Sequence, residues 1–118
     1  LKQVLLVGLG GAAGSMLRFI FSEITNRFYA SAFPLPTFII NILGCFLIGI
    51  LINSSSLSPT YKLILIAGFC GGFTTFSAFA KENLVLISNG QLLLALTYTT
   101  ISCVLGVGAV WLGTLITK

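Results

Sequence analysis

The segment that decides the fold is Ala67-Gly-Phe-Cys-Gly-Gly-Phe-Thr-Thr-Phe-Ser-Ala-Phe79, in the middle of a long apolar stretch. Small residues stand just before hydroxyl residues in it, in the order Gly68, Gly71, Gly72, Thr74, Thr75, Ser77. Glycine lowers the stability of a helix, and neighbouring hydroxyls compete for its backbone hydrogen bonds. We therefore predict a helix that is broken near its middle. A continuous helix with a glycine-rich packing face is the alternative, but it does not account for the hydroxyl run.

The composition of the whole chain is that of an integral membrane protein. Of its 118 residues, 57% are hydrophobic and only 7% are charged, whereas soluble domains carry about 25% charged residues. Eight charged side chains cannot cover the surface of a soluble protein of this length. A soluble monomer is therefore excluded, and so is a disordered chain, which needs low hydropathy and high charge.

Four apolar stretches are each long enough to cross the hydrocarbon core of a bilayer. We call them the first to fourth spans, and the sequence predicts them at residues 3–22, 35–52, 62–87 and 91–117. Together with their short polar connections they use up the chain. The sequence therefore predicts one all-α transmembrane domain, residues 1–118. Glycines four residues apart predict close packing of the first and third spans: Gly10 and Gly14, Gly68 and Gly72.

Positive charges are balanced between the two sides of this four-span arrangement. One side holds Lys2, Lys62 and Lys118, and the other holds Arg18, Arg27 and Lys81. Orientation in the membrane follows an excess of Lys and Arg on one side, and here there is none. The balance favours insertion in both orientations and an antiparallel homodimer, like an inverted repeat divided between two subunits. The alternative is a single orientation set by a small bias that the count does not reveal.

Catalysis by the usual side chains is excluded. The chain has no histidine, and its only acids are Glu23 and Glu82. Cys45, Cys70 and Cys103 lie singly in apolar runs, which is typical of small buried thiols. We predict no enzyme and no catalytic residue. The broken span offers another chemistry, because unwound carbonyl groups near the membrane midplane are good ligands for Na⁺.

The polar side chains that could serve an ion path are donors, and no carboxylate lies in the middle of a span. These donors are Arg18, Thr37, Asn41, Ser77, Tyr98 and Ser102. Phe73, Phe76 and Phe79 recur every three residues, which predicts that they share one side of the third span, and the positive edge of an aromatic ring can face an anion. This inventory favours an anion path over a cation path. Each residue also has a plainer interpretation: asparagine and phenylalanine pack helices together, and arginine extends to the membrane surface.

Taken in order, the motifs resemble those of the Fluc (CrcB) family of fluoride channels over essentially the whole chain. The matching motifs are Gly10-Gly-Ala-Ala-Gly14-x-x-x-Arg18, Phe38-x-x-Asn41-x-x-Gly44 and Gly68-Phe-Cys-Gly-Gly-Phe-Thr-Thr-Phe-Ser-x-Phe-x-x-Glu82. Ala78 departs from the pattern, since the family often has a hydroxyl residue there.

The resemblance implies a multi-pass protein of the inner (plasma) membrane that forms an antiparallel homodimer with two pores. Fluoride would leave the cell passively, which relieves its toxicity. Asn41, Phe76 and Phe79 would line the pore, Arg18 its vestibule, and Tyr98 and Ser102 a hydroxyl track. The resemblance also implies a structural Na⁺ ion on the dimer axis, held by the backbone carbonyls of Gly71 and Thr74. It leaves the role of Glu82 open.

Two other functions stay open at this point. A small dual-topology multidrug transporter shares the length and the four spans, but it needs a carboxylate in the middle of the first span. Glu23 lies only at the end of that span. A non-conducting assembly subunit, with its polar residues as packing contacts, is the other alternative. Flux of fluoride from reconstituted liposomes separates the three.

Overall fold

The computed structural model describes residues 1–117, and four helices among them are long and apolar enough to cross a membrane. The four spans run over Lys2–Phe28, Leu35–Ile52, Pro59–Ser88 and Leu92–Ile116. The prediction of an all-α protein with four apolar helices is confirmed. Lys118, which the charge balance counts with Lys2 and Lys62, lies outside the described residues.

Two spans differ by more than one residue from the bounds that hydropathy predicts. The first span continues past Ser22 to Phe28, because polar residues such as Glu23 keep the helical backbone after the apolar run ends. Hydropathy locates the membrane boundary, and the helix extends beyond it. The third span begins at Pro59, where the Ser58 hydroxyl accepts a hydrogen bond from the Tyr61 amide at 3.3 Å. A proline in the first turn and a serine cap favour that start.

Glycines bring the first and third spans into backbone contact. A Cβ atom built on Gly14 would overlap the carbonyl oxygen of Phe69, and one on Gly72 would overlap that of Gly11. At Gly10 it would lie 3.0 Å from the amide nitrogen of Phe69. The predicted close approach is therefore confirmed.

The second and fourth spans meet in the same way, through glycine and backbone. A Cβ atom on Gly49 would overlap the carbonyl oxygen of Val110, and one on Gly113 would lie 2.7 Å from the amide nitrogen of Ile50. Two helix pairs thus form the body of the protein. Few large side chains are fully buried between them, chiefly Ile40, Cys70 and Tyr98.

The backbone of the third span is irregular. Residues Leu63–Cys70 form a π-helix, and a short α-helical turn follows at Gly71–Phe73. Thr74 then has an extended backbone (φ −78°, ψ 156°), and helical structure resumes only at Ser77–Ser88. We call residues 74–76 the connecting segment. π-Helical insertions are rare and occur frequently at functional sites, which directs attention to this segment.

Candidate functional site

An open groove of about 300 Å³ lies beside the connecting segment. Its walls come from the second, third and fourth spans, and the residues that line it are uncharged: Asn41, Cys45, Ile48, Thr74, Thr75, Phe76, Phe79, Ser102 and Cys103. Hydrogen-bond donors and two aromatic rings therefore face a largely apolar space.

Asn41 pairs with the backbone of Thr75 at one wall of this groove. Its side-chain Nδ2 donates to the Thr75 carbonyl at 3.1 Å, and its Oδ1 accepts from the Thr75 amide at 2.8 Å. Both polar backbone groups of Thr75 are thus satisfied by one side chain. A primary amide has two N–H donors, so this pairing leaves the second N–H of Asn41 without a partner among residues 1–117.

Thr74 and Thr75 use their hydroxyl groups differently. Thr74 directs both its amide and its Oγ1 at the Cys70 carbonyl, at 2.9 and 2.8 Å. The Oγ1 of Thr75 accepts from the Ala78 amide at 3.2 Å and lies 3.4 Å from the Ser77 hydroxyl. The Thr75 side chain therefore caps the first turn of the helix that follows the connecting segment.

The phenylalanines divide into two groups instead of forming one row. Phe73 is buried and stacks on Phe69, with ring centroids 5.9 Å apart. Phe76 is 79% exposed and lies against Phe79, with centroids 5.8 Å apart. The prediction that Phe73 shares a side with the other two is wrong, because the backbone leaves the helical path at Thr74. Only Phe76 and Phe79 line the groove.

The carboxylate of Glu82 accepts hydrogen bonds from two of the residues predicted as donors to the ion path. The Thr37 hydroxyl donates to its Oε2 at 2.6 Å, and the Tyr98 hydroxyl donates to its Oε1 at 2.9 Å. Tyr98 is fully buried and also contacts the ring of Phe79, with centroids 5.0 Å apart. Thr37 and Tyr98 thus direct their hydroxyl protons at the carboxylate, next to the aromatic pair rather than in the groove itself.

Comparison with known proteins places the chain in a family. Residues 5–114 match the family model described as CrcB-like protein, Camphor Resistance (CrcB). The chain belongs to the CrcB family. It is therefore a multi-pass membrane protein, in agreement with its four apolar spans.

Relatives in the CrcB family resemble the chain over nearly its full length. A protein of Flavobacterium psychrophilum, named fluoride-specific ion channel FluC, is 42% identical over 122 residues, which cover 100% of this chain and 98% of the relative. A protein of the same name from Azobacteroides pseudotrichonymphae is 45% identical, with the same coverage. Another, from Methylobacillus flagellatus, is 47% identical over 94% of this chain and 91% of the relative.

The remaining residues predicted for the site of this CrcB-family chain fall at different places. Ser102 lines the groove, and its Oγ is buried without a hydrogen-bond partner among residues 1–117. Ser77 is exposed beside Thr75. Arg18 is not part of the groove wall: it is partly buried, and its Nε donates to the Gly72 carbonyl at 3.2 Å. The structure therefore brings Asn41, Phe76, Phe79 and Ser102 together.

Sequence reasoning missed the part played by Thr75 and left that of Glu82 open. Both belong to the third-span motif, but their partners lie 34 and 45 residues away in the sequence. One part of this arrangement was predictable from the sequence: Thr37 and Asn41 stand one helical turn apart and so share a face of the second span. Nothing in the sequence says which residues that face meets.

Proposed function

We propose that this chain is a fluoride-selective passive channel that exports fluoride across the cell membrane as an antiparallel, dual-topology homodimer with two pores. The observation that carries the proposal is the uncharged, donor-lined groove beside Asn41. The relatives at 42–47% identity, which match over nearly their full length, are named as channels for the same ion.

The groove residues suit a small, strongly hydrated anion. Fluoride enters a protein only if donors replace most of its water shell. The second N–H of Asn41 and the unpartnered hydroxyl of Ser102 supply two such donors. The positive ring edges of Phe76 and Phe79 supply a weaker field from the third span. Chloride, which is larger, fits these groups poorly.

A second copy of the chain completes each pathway in this proposal. Four spans enclose little by themselves, and the groove of a single chain is open on one side. The ring of Phe76 is 79% exposed, as expected of a side chain that a partner subunit covers. Two copies in opposite orientations give two equivalent grooves and hence two pores, and the balance of Lys and Arg supports that arrangement.

The other predicted residues extend the path in this proposal. Arg18 attracts anions at a vestibule through its positively charged guanidinium. Thr37 and Tyr98 continue the path beyond the phenylalanines, next to Glu82. Ser77 adds a hydroxyl at the exposed edge of the connecting segment.

A structural Na⁺ ion fits the backbone of the third span. In an α-helix the amide of residue i bonds to the carbonyl of residue i−4, so Gly71 would receive its bond from Thr75. The Thr75 amide bonds to Asn41 instead, which leaves the Gly71 carbonyl without its helical donor. The carbonyls of Gly71 and Thr74 from two chains would hold the ion. When bound, it would supply positive charge that lowers the cost of an anion at the same depth.

The proposal is tested by fluoride efflux from liposomes that contain the purified protein. Liposomes are loaded with potassium fluoride and potassium chloride, valinomycin sets the driving force, and two selective electrodes follow both anions. We expect rapid fluoride efflux with chloride retained. Equal loss of both anions, or no loss beyond that of protein-free liposomes, contradicts the proposal. Proton-coupled uptake of a cationic drug would instead support a multidrug transporter.

A further inference from the structure

Two amides near the connecting segment donate to side-chain oxygens instead of the carbonyls that they would bond in a continuous helix. The Thr75 amide, the helical donor for Gly71, bonds to Oδ1 of Asn41 at 2.8 Å. The Ala78 amide, the helical donor for Thr74, bonds to Oγ1 of Thr75 at 3.2 Å. The two carbonyls that lose their donors are the two proposed as sodium ligands.

We propose that Thr75 is a positioning residue for the sodium site. The Thr75 amide bonds to Asn41 instead of Gly71, and the Thr75 hydroxyl holds the Ala78 amide that would otherwise bond to Thr74. A single residue therefore leaves both carbonyls without a helical donor. Three neighbouring carbonyls keep a donor: Gly72 accepts from Arg18, Thr75 from Asn41 and Phe76 from the Ala80 amide. The carbonyls of Gly71, Phe73 and Thr74 have none among residues 1–117, and Thr75 accounts for the first and the last of these three.

The hydroxyl group is the decisive part of Thr75. Without it, the Ala78 amide lacks an acceptor in a partly buried position, and an unpaired backbone amide is costly there. In a regular helix its acceptor would be the Thr74 carbonyl, four residues earlier. Removing the hydroxyl therefore draws this carbonyl back into the helix and away from the cation, while the other side chains that line the groove keep their chemistry.

This inference rests on the proposed function, because it assumes that the cation binds. The experiment measures the Na⁺ concentration at which the dimer reaches half of its maximal thermal stabilisation, in buffers where N-methylglucamine replaces Na⁺. The variants are Thr75→Val, which keeps the shape but not the hydroxyl, and Thr75→Ser, which keeps the hydroxyl. Thr114→Val is the matched control, because its hydroxyl donates to the Trp111 carbonyl within the fourth span.

We expect the Na⁺ midpoint of Thr75→Val to rise by about tenfold or more, since the hydroxyl that keeps the Thr74 carbonyl free is lost in both chains of the dimer. Thr75→Ser and Thr114→Val should stay within about twofold of the wild type. A Thr75→Val midpoint equal to that of a Na⁺-dependent wild type overturns the inference alone. A wild type that Na⁺ does not stabilise overturns the sodium site together with it. A Thr75→Val dimer that fails to assemble even in high Na⁺ also contradicts the inference. A site whose affinity is only weakened should fill, and stabilise the dimer, when the Na⁺ concentration is high enough.

Discussion

The side-chain amide of Asn41 satisfies both backbone polar groups of Thr75, although the two residues are 34 positions apart in the sequence. This pairing joins the second span to the connecting segment of the third. It also fixes the orientation of the Asn41 amide, so that its remaining N–H is available to the groove. One residue therefore combines a structural contact with a donor to the proposed ion path.

Replacing Asn41 by aspartate removes the donor to the groove and keeps half of the contact with Thr75, since the bond to the Thr75 carbonyl is also lost. Aspartate keeps an acceptor for the Thr75 amide but has no N–H and carries a negative charge that repels an anion. We expect Asn41→Asp to reduce fluoride efflux from liposomes to the background of protein-free vesicles, while the dimer still elutes at its normal volume in gel filtration. Asn89→Asp, in the turn before the fourth span, serves as the matched control and should conduct normally. Normal fluoride efflux in Asn41→Asp would show that Asn41 serves only to pack the second and third spans together.

The aromatic pair of the groove should contribute through its ring edges. Isoleucine retains the apolar volume of phenylalanine in part but has no electropositive edge. We expect Phe76→Ile and Phe79→Ile each to lower fluoride efflux by at least about tenfold. Phe28→Ile, at the exposed end of the first span, is the control and should be neutral. Wild-type efflux in both groove variants would show that the rings only fill space.

Alanine at the helix contact of the first and third spans should destabilise the protein. A Cβ atom on Gly14 would overlap the Phe69 carbonyl and lie 2.8 Å from the Phe73 amide nitrogen, and backbone atoms cannot move aside as a side chain can. We expect Gly14→Ala to lower the free energy of unfolding by about 1–3 kcal/mol, measured as an earlier thermal transition in detergent. Gly8→Ala is the control, because nothing lies within 4 Å of its added atom. An unchanged transition in Gly14→Ala would show that the two spans can separate freely.

The balance of positive charges predicts two orientations in one membrane. A cysteine tag appended to the C-terminus should react with an impermeant reagent from both sides of the membrane, in comparable amounts. Ser54→Lys combined with Ser55→Lys adds two charges to one side and should shift the population toward one orientation. A wild type labelled from one side only would exclude the antiparallel dimer.

The sequence was sufficient for those features that depend on local pattern. Hydropathy predicts the four spans. The spacing of Gly10 and Gly14, and of Gly68 and Gly72, predicts the close contact of the first and third spans. Hydropathy and glycine spacing can both be read along one helix at a time. The row of phenylalanines fails because helical spacing no longer applies once Thr74 leaves the helix. The partners of Glu82 and Thr75 were not predictable, because they come from other spans and depend on how whole helices pack.

The ion selectivity of the groove beside Asn41 is the central claim, and the current through a planar bilayer tests it most directly. A fluoride gradient is set across the bilayer with chloride equal on both sides, and then a chloride gradient is set with fluoride equal. We predict a reversal potential close to the Nernst potential of fluoride in the first case and close to zero in the second, and no current above background in Asn41→Asp. A reversal potential that follows the chloride gradient, or one that follows pH, would contradict the account.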